Sequence, residues 1–511
     1  MSRRWKILVI AAVALAAVVI IPVIRHYQLR AATEAYIAEL KAKGEPMDLA
    51  QVIPPPVPAE QNGASNFLKA ASLLDTHWNV LGSNPPPAMR MVAPGKAMLG
   101  WAQSDIRSRD GTNTWGEIEA ALAEDNAALK LLSRITEHPI LDFNLDYKDG
   151  PDKIKILHLA SLKRSAQRLS AAAMDDLHRG DTASAVKDVS VMLALVNGAS
   201  HDRLVISELV RIAITQITLA VNWEILQSPN LTDAPLAELQ HDWMKLEFIR
   251  AEESAMALER VTGEISLTKW RNSNSELQNY FDAWFKLAQP GKEEGFFDRV
   301  RFKAQIFRWR YWWSYPDELR TLKGYQIFLE TVRFAETNYS WQTAFQEQQN
   351  KVQKLRIDRN SAGSAWFSDS NKIDLHSLMS ASVFSLNAVF YRVLRAETAK
   401  QMTETAIALK RYQLRHGSYP ADLDLLVPEF MPAVPLDPVD GQPLRYRRNA
   451  DGTFLLYSVG ENGKDDGGDP SLENGVQSSS YYWQSPHTLD WVWPQPATPE
   501  AIQNFYEHPP K

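Results

Sequence analysis

The hydrophobic pattern divides the chain into stretches of different character. Ile7 to Ile24 is an apolar run without a charge, preceded by Arg3, Arg4 and Lys6. As a helix, its 18 residues span about 27 Å, close to the hydrocarbon thickness of a bilayer. A cleaved signal peptide is the competing reading. Ala14-Leu15-Ala16 fits a small-x-small site, but the apolar run continues well past it and no polar region precedes the cut. The pattern therefore predicts an uncleaved, single-pass anchor in the inner (cytoplasmic) membrane. Basic residues before the span put its N-terminus in the cytoplasm, although Arg25 and Arg30 on the far side weaken the asymmetry, and the bulk of the chain becomes periplasmic.

Arg25 to Lys43 is rich in Ala, Glu, Leu and Lys, so the anchor is expected to continue as a helical stalk until Gly44-Glu45-Pro46 stops it. Val52-Ile-Pro-Pro-Pro-Val-Pro58 then reads as an extended, polyproline-type spacer. From Trp115 to Gln227 apolar residues recur at helical spacing: Ile118, Ala121, Leu122 and Leu129, then Leu159, Leu162, Leu169 and Ala173. Gly180 is suited to end one helix and Asp181 to N-cap the next, which predicts a tight antiparallel pair. A similar Gly-Asp hinge occurs in tetratricopeptide-type repeats, but one copy does not make a solenoid. Further helices are expected over Leu236–Arg271 and Thr321–Leu355.

A long helix is predicted from about Leu378 to Arg415, with Ala399, Met402, Ala406 and Leu409 on one face. Beyond Pro420 the signal changes to strands. Leu444–Arg448 and Thr453–Val459 flank the turn-forming Asn449-Ala-Asp-Gly452 and predict a hairpin, with further short strands at Tyr481–Trp483 and Leu489–Trp493. The fold class is mainly α: a single transmembrane helix, a large α-helical body and a small C-terminal α+β module. The expected divisions are an anchor over 1–30, a stalk and spacer over 31–62, the helical body over 63–377, the α+β module over 378–495 and a tail over 496–511.

Composition narrows the chemistry. A length of 511 residues with 45% hydrophobic and 23% charged positions suits a folded, multi-part protein, and a net charge of −6 gives no reason to expect a nucleic-acid partner. The absence of cysteine excludes thiol catalysis, cysteine-ligated metals and disulfides. No His-Glu-x-x-His, Gly-x-Ser-x-Gly, phosphate-binding or dinucleotide loop occurs. Ser184-Ala-Val-Lys187 and Ser266-Leu-Thr-Lys269 match a penicillin-binding pattern without its companion motifs. No catalytic residue is predicted.

One loop is chemically distinctive. Glu461, Asp465, Asp466, Asp469 and Glu473 crowd around Gly460, Gly463, Gly467 and Gly468. Hard carboxylate oxygens on a sharply folding chain suit Ca²⁺, although the spacing is not that of an EF-hand, and on residues alone a solvated Asp/Gly turn is the simpler reading. The wider context adds to this: His416-Gly-Ser-Tyr-Pro420, Pro435-Leu-Asp-Pro-Val-Asp-Gly441 and Tyr457-Ser-Val-Gly-Glu-Asn-Gly-Lys-Asp-Asp-Gly-Gly-Asp469 occur in order. Over about residues 397–475 the chain resembles the globular domain of type II secretion major pseudopilins. The resemblance implies a structural role in secretion-type envelope assemblies and a loop-bound Ca²⁺. Its ligands would be the Val459 carbonyl with Asn462, Asp465, Asp466 and Asp469. Asn462 stands where the family has an aspartate, which keeps a carbonyl oxygen but removes a charge. The N-terminus departs further: Ile7–Ile24 holds no glutamate, and more than 300 residues separate the span from the pilin-like part. Polymerisation as a pilus subunit is therefore not expected.

Phe296–Tyr315 alternates aromatic residues with Arg299, Arg301, Lys303, Arg308 and Arg310. As a helix it puts Phe302, Ile306, Trp309 and Trp313 on one face. That face reads as core-facing or, alternatively, as interfacial at a membrane. Two functional readings follow: a membrane-anchored envelope protein with a structural or interaction role, or an envelope hydrolase whose carboxylates meet only in the folded body.

Overall fold

The computed structural model describes the chain apart from residues 1–2, 76–78, 108–110, 289–299, 301–302, 305, 355–378, 380–382, 384–385, 474–481 and 509–511; for residues 3–4, 6–19, 22, 152, 281 and 283–288 it describes the backbone only. The structure is mostly helical with small sheets. The principal helices are α1 (Arg3–Ala42), α2 (Ala64–Leu74), α3 (Trp115–Ser133), α4 (His158–His178), α5 (Thr182–Gly198), α6 (Val205–Leu226), α7 (Asp233–Met244), α8 (Phe248–Asn272), α9 (Asn274–Ala288), α10 (Ser314–Asn338), α11 (Trp341–Lys354), α12 (Asn387–His416) and α13 (Pro499–Glu507).

Local chemistry places several boundaries. Helix α1 stops before Gly44, which takes a left-handed φ of 82°. Gly180 has the same conformation, and the Asp181 side chain accepts from the Ser184 N–H, so α4 and α5 form the hairpin expected from the sequence. Helices α4, α5 and α6 pack on one another, α3 sits against α2 and α4, and α8 packs on α10. The further helices expected over Leu236–Arg271 and Thr321–Leu355 are present as two pairs: α7 and α8 are separated by Lys245-Leu246-Glu247, and α10 and α11 by a break at Tyr339, which takes φ 51°. The long C-terminal helix is described from Asn387, and its expected start at Leu378 lies outside the described residues.

Strands β1 (Arg90–Ala93) and β2 (Lys96–Met98) form an antiparallel hairpin around Pro94-Gly95, and β3 (Ile106–Arg107) pairs with β4 (Thr112–Asn113). The body is thus not purely helical as expected: the Pro-Gly turn between two apolar triplets is a hairpin signal. Strands β5 (Arg445–Arg448) and β6 (Phe454–Ser458) pair antiparallel with Arg448 opposite Phe454, as Asn449–Gly452 dictates, and β7 (Trp491–Val492) joins β6. The last strand, β8 (Gln495–Pro496), pairs parallel to β2, and α13 then covers β1 through Phe505, packed with Val92 and Met98. Of the other expected strands, Tyr482 and Trp483 are not in a strand, and Tyr481 lies outside the described residues.

One apolar core runs through both body and module, joining Leu169, Trp223 and Phe248 to Met402, Leu456 and Trp491. Helix α12 lies against α6 and α7, with Arg411 and Arg415 paired to Asp233. The stretch after α1 is docked as well: Val57 N–H donates to Asp142, and Arg203 donates to the Val52 carbonyl. Among the described residues, α6 is long and apolar enough to cross a membrane, but it holds buried Glu208, Arg211, Asn222 and Glu224 and packs in the interior. It is a core helix.

Candidate functional site

The acidic loop is held by two buried carboxylates from flanking segments. Asp437 is fully buried and accepts from the Val439 and Val459 N–H groups at 3.0 Å and from Ser458 Oγ at 2.9 Å, with Arg445 at 3.2 Å. It ties the 435–441 turn to the end of β6. Burial raises its pKa to about 6 against the lowering effect of these donors. Asp490, also fully buried, accepts from the N–H groups of Gly468 at 2.8 Å, Asp469 at 3.2 Å and Asp466 at 3.4 Å. Burial moves this carboxyl upward too. Glycine is required at two of the tight points: a Cβ at Gly460 would meet the Leu489 carbonyl at 3.0 Å, and one at Gly468 would meet Leu455 at 2.7 Å, both at positive φ.

The five residues implied as calcium ligands share this loop but face different partners. Val459 is buried, its N–H on Asp437. Asp465 accepts from the Gly467 N–H and the Tyr457 hydroxyl, both at 3.0 Å, and lies 3.6 Å from Arg445. The Gly467 N–H, Tyr457 and Arg445 hold its pKa below the ordinary aspartate value. Asp469 accepts from the Ser471 N–H. Asn462 takes the Lys464 N–H on Oδ1, which turns its Nδ2 toward Asp466 at 3.1 Å and Glu473 at 3.5 Å. An amide donor thus stands between two carboxylates, where a cation would otherwise bring them together. Among the described residues, no group of three or more His, Asp or Glu side chains is arranged to share an ion. As arranged, the donor set does not fit Ca²⁺.

The loop also touches the body. Trp341 and Gln342, at the start of α11, donate their N–H groups to the carbonyls of Pro438 and Val439, and Arg395 of α12 bonds Glu461 at 2.8 Å. These turn carbonyls satisfy two of the free donors at a helix start.

The body does bring carboxylates together. Glu208, paired with Arg211, and Glu252 are both buried, and among the described residues neither oxygen of Glu252 has a hydrogen-bond partner. Burial, then the charges of Glu208 and Glu259, push the Glu252 carboxyl well above the ordinary range, which favours its neutral form. Neither residue lines the groove of about 510 Å³ between Val186, Lys187, His241 and Lys245, or the cleft of about 250 Å³ beside Lys410 and Trp493. Ser184, from the Ser-x-x-Lys match, bonds Asp181 as part of a helix cap.

Asp490 and Asp437 were missed as loop-organising residues by sequence reasoning. A signal existed in Leu489-Asp-Trp-Val-Trp493: an aspartate in an aromatic, strand-prone run needs buried donors. No family model, curated protein or solved structure matches this chain, so the site is characterised by its own geometry.

Proposed function

We propose that this protein is a membrane-anchored envelope protein with a structural or interaction role. In this reading Ile7–Ile24 is the single span, the bulk is periplasmic, and the C-terminal part is a pseudopilin-like module built into a helical body. The observation that carries the proposal is the change of environment along one unbroken helix. On α1, Ile20, Ile21, Val23 and Ile24 are each about half exposed or more, whereas Thr33 and Leu40 are buried against the body. Exposed apolar side chains at 20, 21, 23 and 24 followed by a docked half suit an anchor that holds its load rigidly.

The module supports a scaffold rather than a polymer subunit, because α12 is covered by α6 and α7. Its 460–469 loop is then a structural clasp, closed by Asp437 and Asp490, and its partners are envelope or secretion-type proteins. The test is membrane fractionation with alkaline extraction, combined with a periplasm-dependent reporter fused after residue 511. Retention in the extracted membrane with an active reporter, and loss of retention when residues 1–24 are deleted, is the expected result. Full release of the intact chain by alkali, or an inactive reporter, would overturn the proposal.

A further inference from the structure

Among the described residues, the segment preceding α10 packs one apolar face inside the protein and leaves a second exposed. Ile306 and Trp309 are buried with Trp270 and Leu277, and Trp309 Nε1 donates to Asp317 at 3.1 Å. Arg310 reaches the Trp270 carbonyl at 2.8 Å. The inward face, described from Ile306 onward, is therefore core, as one of the two sequence readings had it; Phe302 lies outside the described residues. The opposite face carries Phe307, Tyr311 and Trp312, 57%, 48% and 44% exposed, with exposed Arg308 beside them. Their spacing of four and one residues puts them on one side of the helical segment, and the Phe307 and Tyr311 rings touch at 4.6 Å.

The location of this face is fixed by α1. The His26 ring nitrogen Nδ1 donates to the Tyr311 carbonyl at 2.8 Å, and the same ring meets Tyr315 edge-on at 5.0 Å. Thr33 Oγ1 lies 3.4 Å from the Tyr315 carbonyl. His26 comes two residues after Ile24, so the aromatic face stands where the apolar run ends. Tyr27, whose ring meets that of His26 edge-on, is 63% exposed.

We propose that Phe307, Tyr311 and Trp312 form a second membrane contact, an interfacial platform that seats the body on the outer surface of the bilayer in which α1 is anchored. The inference rests on the anchor reading and adds to it an orientation. Tryptophan and tyrosine, with an apolar ring and a polar edge, concentrate at this depth of a bilayer, and Arg308 adds attraction for lipid phosphates. Two contacts at one level, one spanning and one lying on the surface, fix the tilt of a body that a single helix would leave free to swing.

The chain has no cysteine, so single thiols can be placed at will. Full-length Phe307→Cys, Trp312→Cys, Ile20→Cys and Leu425→Cys variants are spin-labelled in vesicles of phosphatidylethanolamine and phosphatidylglycerol. Relaxation is then compared between lipid-soluble oxygen and a water-soluble nickel chelate. Leu425 serves as an exposed apolar control on the C-terminal module. The expected result is oxygen-dominated relaxation at 20, 307 and 312 and nickel-dominated relaxation at 425. Oxygen dominance at 20 with nickel dominance at 307 and 312 would overturn the platform and leave the anchor standing. Nickel dominance at 20 would overturn the anchor reading and the platform with it. Protection of 307 and 312 from both reagents would mean that a second copy covers this face, and would also overturn the platform.

Discussion

Glu45 and Arg260 form an ion pair of 3.1 Å in which the arginine is fully buried and the glutamate nearly so. The same carboxylate accepts from Gln326 at 2.9 Å and from Arg333 at 2.5 and 3.1 Å, and Arg260 also reaches the Pro46 carbonyl at 2.9 Å. Glu45 lies in the turn that ends α1, so this network fastens α1 to α8 and α10. Replacing Glu45 by Ala leaves Arg260 buried without its counter-charge. The expected loss is about 3–5 kcal/mol, read from urea unfolding of the full chain in detergent. A loss below about 1 kcal/mol would mean that the pair does not hold the junction.

The junction also has a pH sign. Burial alone would raise Glu45, but hydrogen bonds from Arg333 and Gln326 and the charge of Arg260 outweigh it and hold the pKa at about 2. A depressed carboxyl stabilises fully above its unfolded value of 4.5 and loses that contribution as pH falls toward 2. The wild type should lose stability across this window, and Glu45→Ala should lose less.

Asn462 is the residue through which calcium binding by the acidic loop can be tested. Its amide donates toward Asp466 and Glu473, so the wild type should show no shift in unfolding temperature at millimolar Ca²⁺. Asn462→Asp replaces the donor by a third carboxylate and should gain a saturable upward shift, abolished by chelator. A wild-type shift as large as that of the variant would show that the loop rearranges to bind calcium with its asparagine in place.

Glu252 sets an alkaline weakness. Its raised pKa means that folding favours the protonated acid, so its stabilising effect is complete below the unfolded value of 4.5 and declines as pH rises toward the folded pKa. Glu224 adds to the trend: burial lifts it to about 8 although it accepts from the Met89 and Gly100 N–H groups. The protein should be more stable at pH 5 than at pH 9. Glu252→Gln, which cannot ionise, should be more stable than wild type at pH 9 by about 1–3 kcal/mol and nearly equal to it at pH 5. Parallel pH curves for the two proteins would exclude Glu252 as the source.

Much of the fold was legible where local chemistry decides it. Gly180-Asp181 forced a helix pair, Asn449–Gly452 closed a hairpin, and Gly417, at φ 81° after His416, ended α12 near the expected position. Tertiary pairing was less legible. Nothing near Asp490 in sequence states that it will receive three N–H groups from a loop some twenty residues earlier, and nothing near Glu45 points to Arg260. The acidic loop stands out in the sequence, but composition alone could not give the directions of its side chains. Asn462 shows why: its role depends on which amide atom faces the acids, and the Lys464 N–H sets that.

The pairing of β8 with β2 has a kinetic consequence. Gln495 N–H donates to the Gly95 carbonyl and Trp223 Nε1 to the Pro494 carbonyl, so segments some 400 and 270 positions apart close a single sheet and core. Such distant closures are slow to form. A chain folding as it is synthesised would display the seats for β8 and α13 until residues 495–507 arrive. A product truncated before Gln495 would leave that seam open to proteases and chaperones.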